Sequence, residues 1–168
     1  MKKVNKFVLV VMLLLPAFAF GQVTEEWVAR YDRQGLSDSA KAMTVDMDGN
    51  IYVVGQSGNK GVAVKYDTNG NKLWEALYDF SPEHITVGNN GNTYITGYAG
   101  DGGEYGGEYG TYDMFTAKLD SQGNLVWVKT FGGIGTGSCM GWYSPLAIGR
   151  HIAVDSEGNV VVMGEVSV

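Results

Sequence analysis

Only one of the 168 residues, Cys139, is a cysteine, and only three are prolines. A lone cysteine excludes an intrachain disulfide framework, so packing must supply the stability. Scarce proline excludes a collagen-like chain or a Pro-rich linker, although glycine is abundant at 25 residues. Charged residues make up 18% against 45% apolar, which excludes a disordered tail and a charged coiled coil. The longest unbroken apolar run is Phe7–Leu15. It falls well short of the about 20 residues that span a membrane. Glycine costs a helix about 1 kcal/mol relative to alanine, so this composition favours strands and turns.

That apolar run follows Lys2, Lys3 and Lys6, is closed by Pro16, and precedes the small residues Ala17, Ala19 and Gly21. The order reads as a cleavable export signal over residues 1–21, with no membrane span left after its removal. The expected address is the periplasm, the cell surface or the medium. Removing the leader leaves 9 Lys+Arg against 18 Asp+Glu, a net charge near −9. Such a surface repels phosphate backbones, so nucleic acid is not an expected partner.

One pattern returns five times: Asp46-Met47-Asp48-Gly49-Asn50, Asp67-Thr68-Asn69-Gly70-Asn71, Gly88-Asn89-Asn90-Gly91-Asn92, Asp120-Ser121-Gln122-Gly123-Asn124 and Asp155-Ser156-Glu157-Gly158-Asn159. Aspartate opening a type I turn accepts backbone N–H bonds, and glycine at the fourth position supplies the left-handed conformation of a G1 bulge. Only the third copy departs, with Gly88 in place of aspartate. Strand-like flanks surround the turns. Three lead to β-branched runs ending in Gly55, Gly97 and Gly164, and two lead to Trp74 and Trp127. Trp27, Trp74 and Trp127 set the larger spacing.

Four short antiparallel strands per unit of about 40–55 residues is the pattern of a β-propeller blade. The expected fold class is therefore all-β, a partial propeller over 22–168. Blade one spans about 39–78, blade two about 83–131, and a half blade about 149–168. Within blade one the expected strands are 39–46, 50–56, 61–67 and 71–78. Those of blade two are 83–88, 92–99, 112–120 and 124–131, followed by 149–155 and 159–166. Glu25–Tyr31 reads as an unattached outermost strand, because Trp27 matches Trp74 and Trp127. Two and a half blades leave sheet faces and edges open. Either the sequence is a fragment of a longer protein, the favoured expectation, or copies self-associate.

The stretches SDSAKAMTVDMDGNIYVVGQS, YDMFTAKLDSQGNLVWVKTFGG and HIAVDSEGNVVVMGEVS resemble the bacterial SBBP repeats, propeller units of exported proteins. The resemblance covers roughly residues 25–168. It implies a propeller fold and brings no catalytic residues with it.

Chemistry-bearing candidates are few. Asp46, Asp48 and Asn50 imitate the start of a calcium loop, but the twelfth position, which requires glutamate, is Ser57. A hairpin turn is the better reading. The Gly-x-x-x-Trp spacing of Gly70–Trp74 and Gly123–Trp127 is similar to the tryptophan-docking repeats of quinoprotein dehydrogenases. Those place the aspartate four residues before the glycine, whereas Asp67 and Asp120 stand three before, so these tryptophans are expected to pack between blades. His84 and His151 each fall near the start of an expected innermost strand, without a second ligand at i+2 or i+4. No Gly-x-Ser-x-Gly or phosphate-loop motif occurs, and no catalytic residue, metal ligand or cofactor is expected.

Length is added in two places: Tyr98 to Thr111, with a tandem Gly-Gly-Glu-Tyr, and Gly132 to Gly149, which holds Cys139. In a propeller both insertions leave the face opposite the tight turns. That face would present Asp101, Glu104, Tyr105, Glu108, Tyr109, Trp142 and Tyr143. Rings beside carboxylates suit a sugar or a basic protein partner. The expectation is a non-catalytic binding or scaffolding module for an extracellular protein or polysaccharide. One alternative is a secreted propeller enzyme, its site in missing blades or built on the insertion face from Glu104, Glu108 or His151. The other is a structural spacer in a surface protein.

Overall fold

A computed structural model describes residues 26–33, 35–100, 112–131 and 146–167. The export signal expected over 1–21 lies outside them. The described chain is all-β, with ten strands: β1 Asp38–Val45, β2 Ile51–Ser57, β3 Lys60–Tyr66, β4 Lys72–Tyr78, β5 Ser81–Val87, β6 Thr93–Gly100, β7 Tyr112–Leu119, β8 Leu125–Phe131, β9 Leu146–Val154 and β10 Val160–Ser167. Each expected strand from blade one onward is found to within about three residues, a normal uncertainty for element ends. The outermost strand expected at Glu25–Tyr31 is not: over its described residues 26–31 the backbone is irregular, because it pairs with no neighbouring strand.

Strands β1 to β4 form one antiparallel sheet in chain order, and β5 to β8 pair in the same order. Strands β9 and β10 make an antiparallel hairpin joined to β7 by a single parallel bridge, Tyr112 to Leu146. The sheets are not closed into a ring.

All five tight turns take the expected form. Gly49, Gly70, Gly91, Gly123 and Gly158 have φ between 74° and 88°. In the first, Gly49 N–H donates to the Asp46 carbonyl and Asp46 N–H to that of Asn50, and the other four repeat the pair. Where Gly88 replaces aspartate the backbone bonds persist, and Asn90 Oδ1 accepts from Asn92 N–H instead.

A second irregularity repeats five residues before a turn. Lys41, Glu83 and Arg150 are each the extra residue of a β-bulge in β1, β5 and β9. Each bulge swings a backbone carbonyl over the neighbouring strand, where Gly55, Gly97 and Gly164 lie. A Cβ on those glycines would collide with the carbonyls of Ser39, Ser81 and Ile148. The bulge therefore dictates the glycine that closes each β-branched run.

The main core forms between the first two sheets. Tyr52, Val54, Ala63 and Tyr78 of the first meet Ile85, Ile95, Phe115, Ala117 and Leu119 of the second, with Phe80 stacked between Tyr78 and Phe115. Burial of each large side chain contributes about 1.5–3 kcal/mol. Tyr52 and Val54 bury one face of β2 in this core, while Ile51 and Val53 on the other face are half-buried, so the run is apolar without alternation.

Tryptophan docking locks one unit to the next. Trp27 Nε1–H donates to the Thr68 carbonyl at 3.0 Å, and Trp74 Nε1–H to that of Ser121 at 3.2 Å. Each ring lies on the turn glycine beneath it, Gly70 and Gly123, where a Cβ would come within 2.8 Å. Segment Glu26–Arg33 joins no ladder but lies across the first sheet. Trp27 and Tyr31 pack on Val62, Val64 and Tyr66. The Tyr31 hydroxyl donates to Glu75 at 2.9 Å; burial and this carboxylate push its pKa up to about 12.

Candidate functional site

The candidate binding residues Asp101, Glu104, Tyr105, Glu108, Tyr109, Trp142 and Tyr143 lie outside the described residues, as does Cys139. The strand ends that carry those two segments are described. Residues 101–111 leave Gly100 and re-enter at Tyr112, while residues 132–145 leave Phe131 and re-enter at Leu146. The two points of re-entry, Tyr112 and Leu146, are paired by the parallel bridge. Both insertions are thus anchored side by side, at the strand ends opposite the five tight turns. The rim there is aromatic: Tyr98 meets Tyr112 edge-to-face at 5.3 Å, and Gly100 lies under the Tyr112 ring.

A polar cluster runs along β1, β5 and β9. The bulge residues project in one row, with Lys41 Nζ at 3.3 Å from Glu83 Oε1 and Arg150 at 3.9 Å from Glu83 Oε2. Arg150 also reaches Glu165 on β10 at 3.3 Å. Sequence reasoning missed this row. Its signal was present as a charged residue five positions before three of the turns. Partly exposed pairs of this kind each contribute about 0–1 kcal/mol and chiefly fix register between units.

One position further along the bulged strands, His84 and His151 come together, ring centroids 5.0 Å apart and edge-to-face. The equivalent residue of β1 is Ala42. His84 Nδ1 accepts the Ile152 backbone N–H at 3.4 Å, which places the neutral ring's proton on Nε2. Burial, then the facing His151, pulls the His84 pKa below the usual histidine range. Among the described residues no third His, Cys, Asp or Glu joins this pair in a metal-binding group.

The calcium-like triplet is occupied by its own turn. Asp46 accepts from the Asp48 and Asn50 backbone, the Asn50 side chain and the Tyr52 hydroxyl, with Lys65 at 3.7 Å. Burial pushes this carboxyl up, but those hydrogen bonds and Lys65 outweigh it and hold it below the ordinary range. Asp67, Asp120 and Asp155 repeat the arrangement with Asn71, Asn124 and Asn159.

A cavity of about 410 Å³ opens between Glu26–Arg33 and the first sheet, lined by Trp27, Tyr31, Met43, Val53, Val62 and Val64 among others.

No family model matches the chain, and no curated protein matches its sequence.

Proposed function

We propose that the chain is an exported β-propeller protein of SBBP type, a non-catalytic binding or scaffolding module for an extracellular polysaccharide or protein. Three equivalent strands, β1, β5 and β9, carry the same bulge and neighbour one another in order, as innermost blade strands do. The repeated residues are spent on the scaffold. The turn aspartates are saturated by their own loops, and Trp27 and Trp74 are each committed to a turn of the following unit.

The observation that carries the reading is the paired re-entry at Tyr112 and Leu146. It anchors the two stretches that break the repeat at one place, away from the turns. Loops on a rigid scaffold are where binding residues concentrate, and aromatic rings beside carboxylates suit sugar stacking. The test is a titration against a glycan array, with the Tyr105→Ala/Tyr109→Ala/Trp142→Ala variant alongside. Saturable binding that the triple variant abolishes, with its circular dichroism unchanged, supports the reading. Binding that survives the triple variant overturns it.

A further inference from the structure

The third tight turn keeps the residues that surround a turn carboxylate and lacks the carboxylate itself. In the first unit Asp46 accepts from the Asp48 and Asn50 backbone, the Asn50 side chain and the Tyr52 hydroxyl, all at 2.8–3.0 Å. Lys65 Nζ completes the group, 3.7 Å from Asp46 Oδ2 and 4.8 Å from the centre of the Tyr52 ring. Aligned on the turns, the second unit has Asn90, Asn92, Tyr94 and Lys118 at the donor positions and Gly88 in place of the acceptor. Lys118 keeps the pose of Lys65, with Nζ 5.7 Å from the centre of the Tyr94 ring. The second acid of the first turn is gone as well, since Asp48 corresponds to Asn90.

Only one of the orphaned donors has found another acceptor: Asn92 N–H donates to Asn90 Oδ1 at 3.1 Å. The Asn90 N–H, the Asn92 side-chain amide, the Tyr94 hydroxyl and the Lys118 ammonium have no acceptor among the described residues. Backbone geometry does not call for the glycine. Gly88 is not among the glycines with positive φ, unlike Gly91 of the same turn. The nearest atom to a Cβ there would be Asn90 Oδ1 at 3.3 Å, the far end of an exposed side chain that can swing aside.

We propose that Gly88, Asn90, Asn92, Tyr94 and Lys118 form a binding site for the carboxylate of a small organic acid, held where the first unit holds the Asp46 carboxylate. An ammonium beside neutral N–H and O–H donors suits an anion with two accepting oxygens. The same donor set already holds a carboxylate once in this molecule. The room is that of one aspartate side chain, and acetate is that side chain cut off at its Cβ. A formal net charge of −6 opposes an acidic polymer and favours a single small anion. Every partner of Asp46 belongs to its own unit even though a complete sheet follows, so the equivalent site needs nothing from beyond the second unit. It lies at the tight-turn end, opposite the two insertions, and stands independently of the propeller reading.

Titrating the isotope-labelled chain with sodium acetate, against sodium chloride at matched ionic strength, tests this by NMR. Saturable shifts of the Asn90 and Asn92 amides and of the Tyr94 ring are expected with acetate alone. Lys118→Met should weaken binding about 10-fold or more, by removing the charge that assists the hydrogen bonds. Gly88→Asp should abolish it, because the new carboxylate takes the same donors, and should also raise the melting temperature. Aspartate opens the other four turns, so this variant folds, and it decides the matter alone if Lys118→Met loses its circular dichroism. Shifts that persist in Gly88→Asp, equal shifts with chloride, or no saturation by about 100 mM acetate overturn the proposal. Saturation by poly-glutamate but not by acetate overturns the small-acid assignment and makes an acidic protein segment the occupant.

Discussion

The indole of Trp74 donates its N–H to the carbonyl of Ser121, 47 residues on and in the next sheet, while its ring covers Gly123. Gly158 takes the same left-handed conformation, φ 88° against 85°, with nothing within 4 Å of where a Cβ would be. Alanine at either position meets a similar backbone cost of about 1–2 kcal/mol. Gly123→Ala should cost about 1–3 kcal/mol more, because its methyl must displace the Trp74 ring. Urea unfolding of the two variants measures the difference, and equal losses would show that the docking carries no weight.

Glu83 is the middle of the charge row and faces both Lys41 and Arg150. Glu83→Gln should lower stability by about 1 kcal/mol at low salt, since Lys41 loses its counter-charge and Arg150 is left with Glu165 alone. The loss should shrink at about 1 M salt, where the screening length is near 3 Å. Thermal melts of both proteins at two ionic strengths are the check.

His84 titrates below the usual histidine range, pushed down by burial and then by His151. The unfolded chain therefore binds more protons than the folded one as pH drops through the ordinary histidine pKa. The stabilisation is complete above that value and is lost as pH falls through the folded one. His151→Ala should move the His84 midpoint upward in an NMR titration, and an unmoved midpoint would mean the rings do not meet in solution. Protection factors of the β9 amides should fall over the same window.

Asp46, Asp67, Asp120 and Asp155 all sit below the usual 3.8. For Asp67, Asp120 and Asp155 the side-chain bond from the following asparagine leads, then its backbone N–H. At Asp46 the same donors overcome a burial effect of opposite sign. Depressed carboxyls contribute stability above their unfolded pKa and lose it as pH falls through the folded one. Stability should decline below about pH 4. Asp67→Asn/Asp120→Asn/Asp155→Asn should flatten that acid limb, and an unchanged slope would place the acid sensitivity elsewhere.

Strand positions were legible because the turns are. Four Asp-x-x-Gly-Asn segments and the Gly88–Asn92 variant fix where strands begin, and period-two or β-branched runs fill the gaps. The pairing of Trp74 with the next unit was legible only as packing between units. Its target, the turn of Ser121 and Gly123, depends on how two sheets stack, which no local pattern encodes. The bulges at Lys41, Glu83 and Arg150 were overlooked because an extra residue in a strand keeps the same composition. Only their glycine partners, Gly55, Gly97 and Gly164, stood out. The meeting of His84 with His151 joins residues 67 positions apart, and their shared offset from Gly88 and Asp155 was the signal for it. The seven candidate binding residues belong to insertions outside the strand–turn repeat, where the other units offer nothing to align.

Backbone pairing in this molecule is almost entirely local. Every ladder joins strands adjacent in the chain, apart from the one Tyr112–Leu146 bridge. Each sheet can therefore zip up from its own hairpins as soon as its last strand emerges, with little loop-closure entropy to overcome. Long-range order is left to side chains alone: an indole on a turn, a row of alternating charges, two facing imidazoles. A chain organised in this way can gain or lose whole units without rewriting a single main-chain hydrogen bond in those that remain.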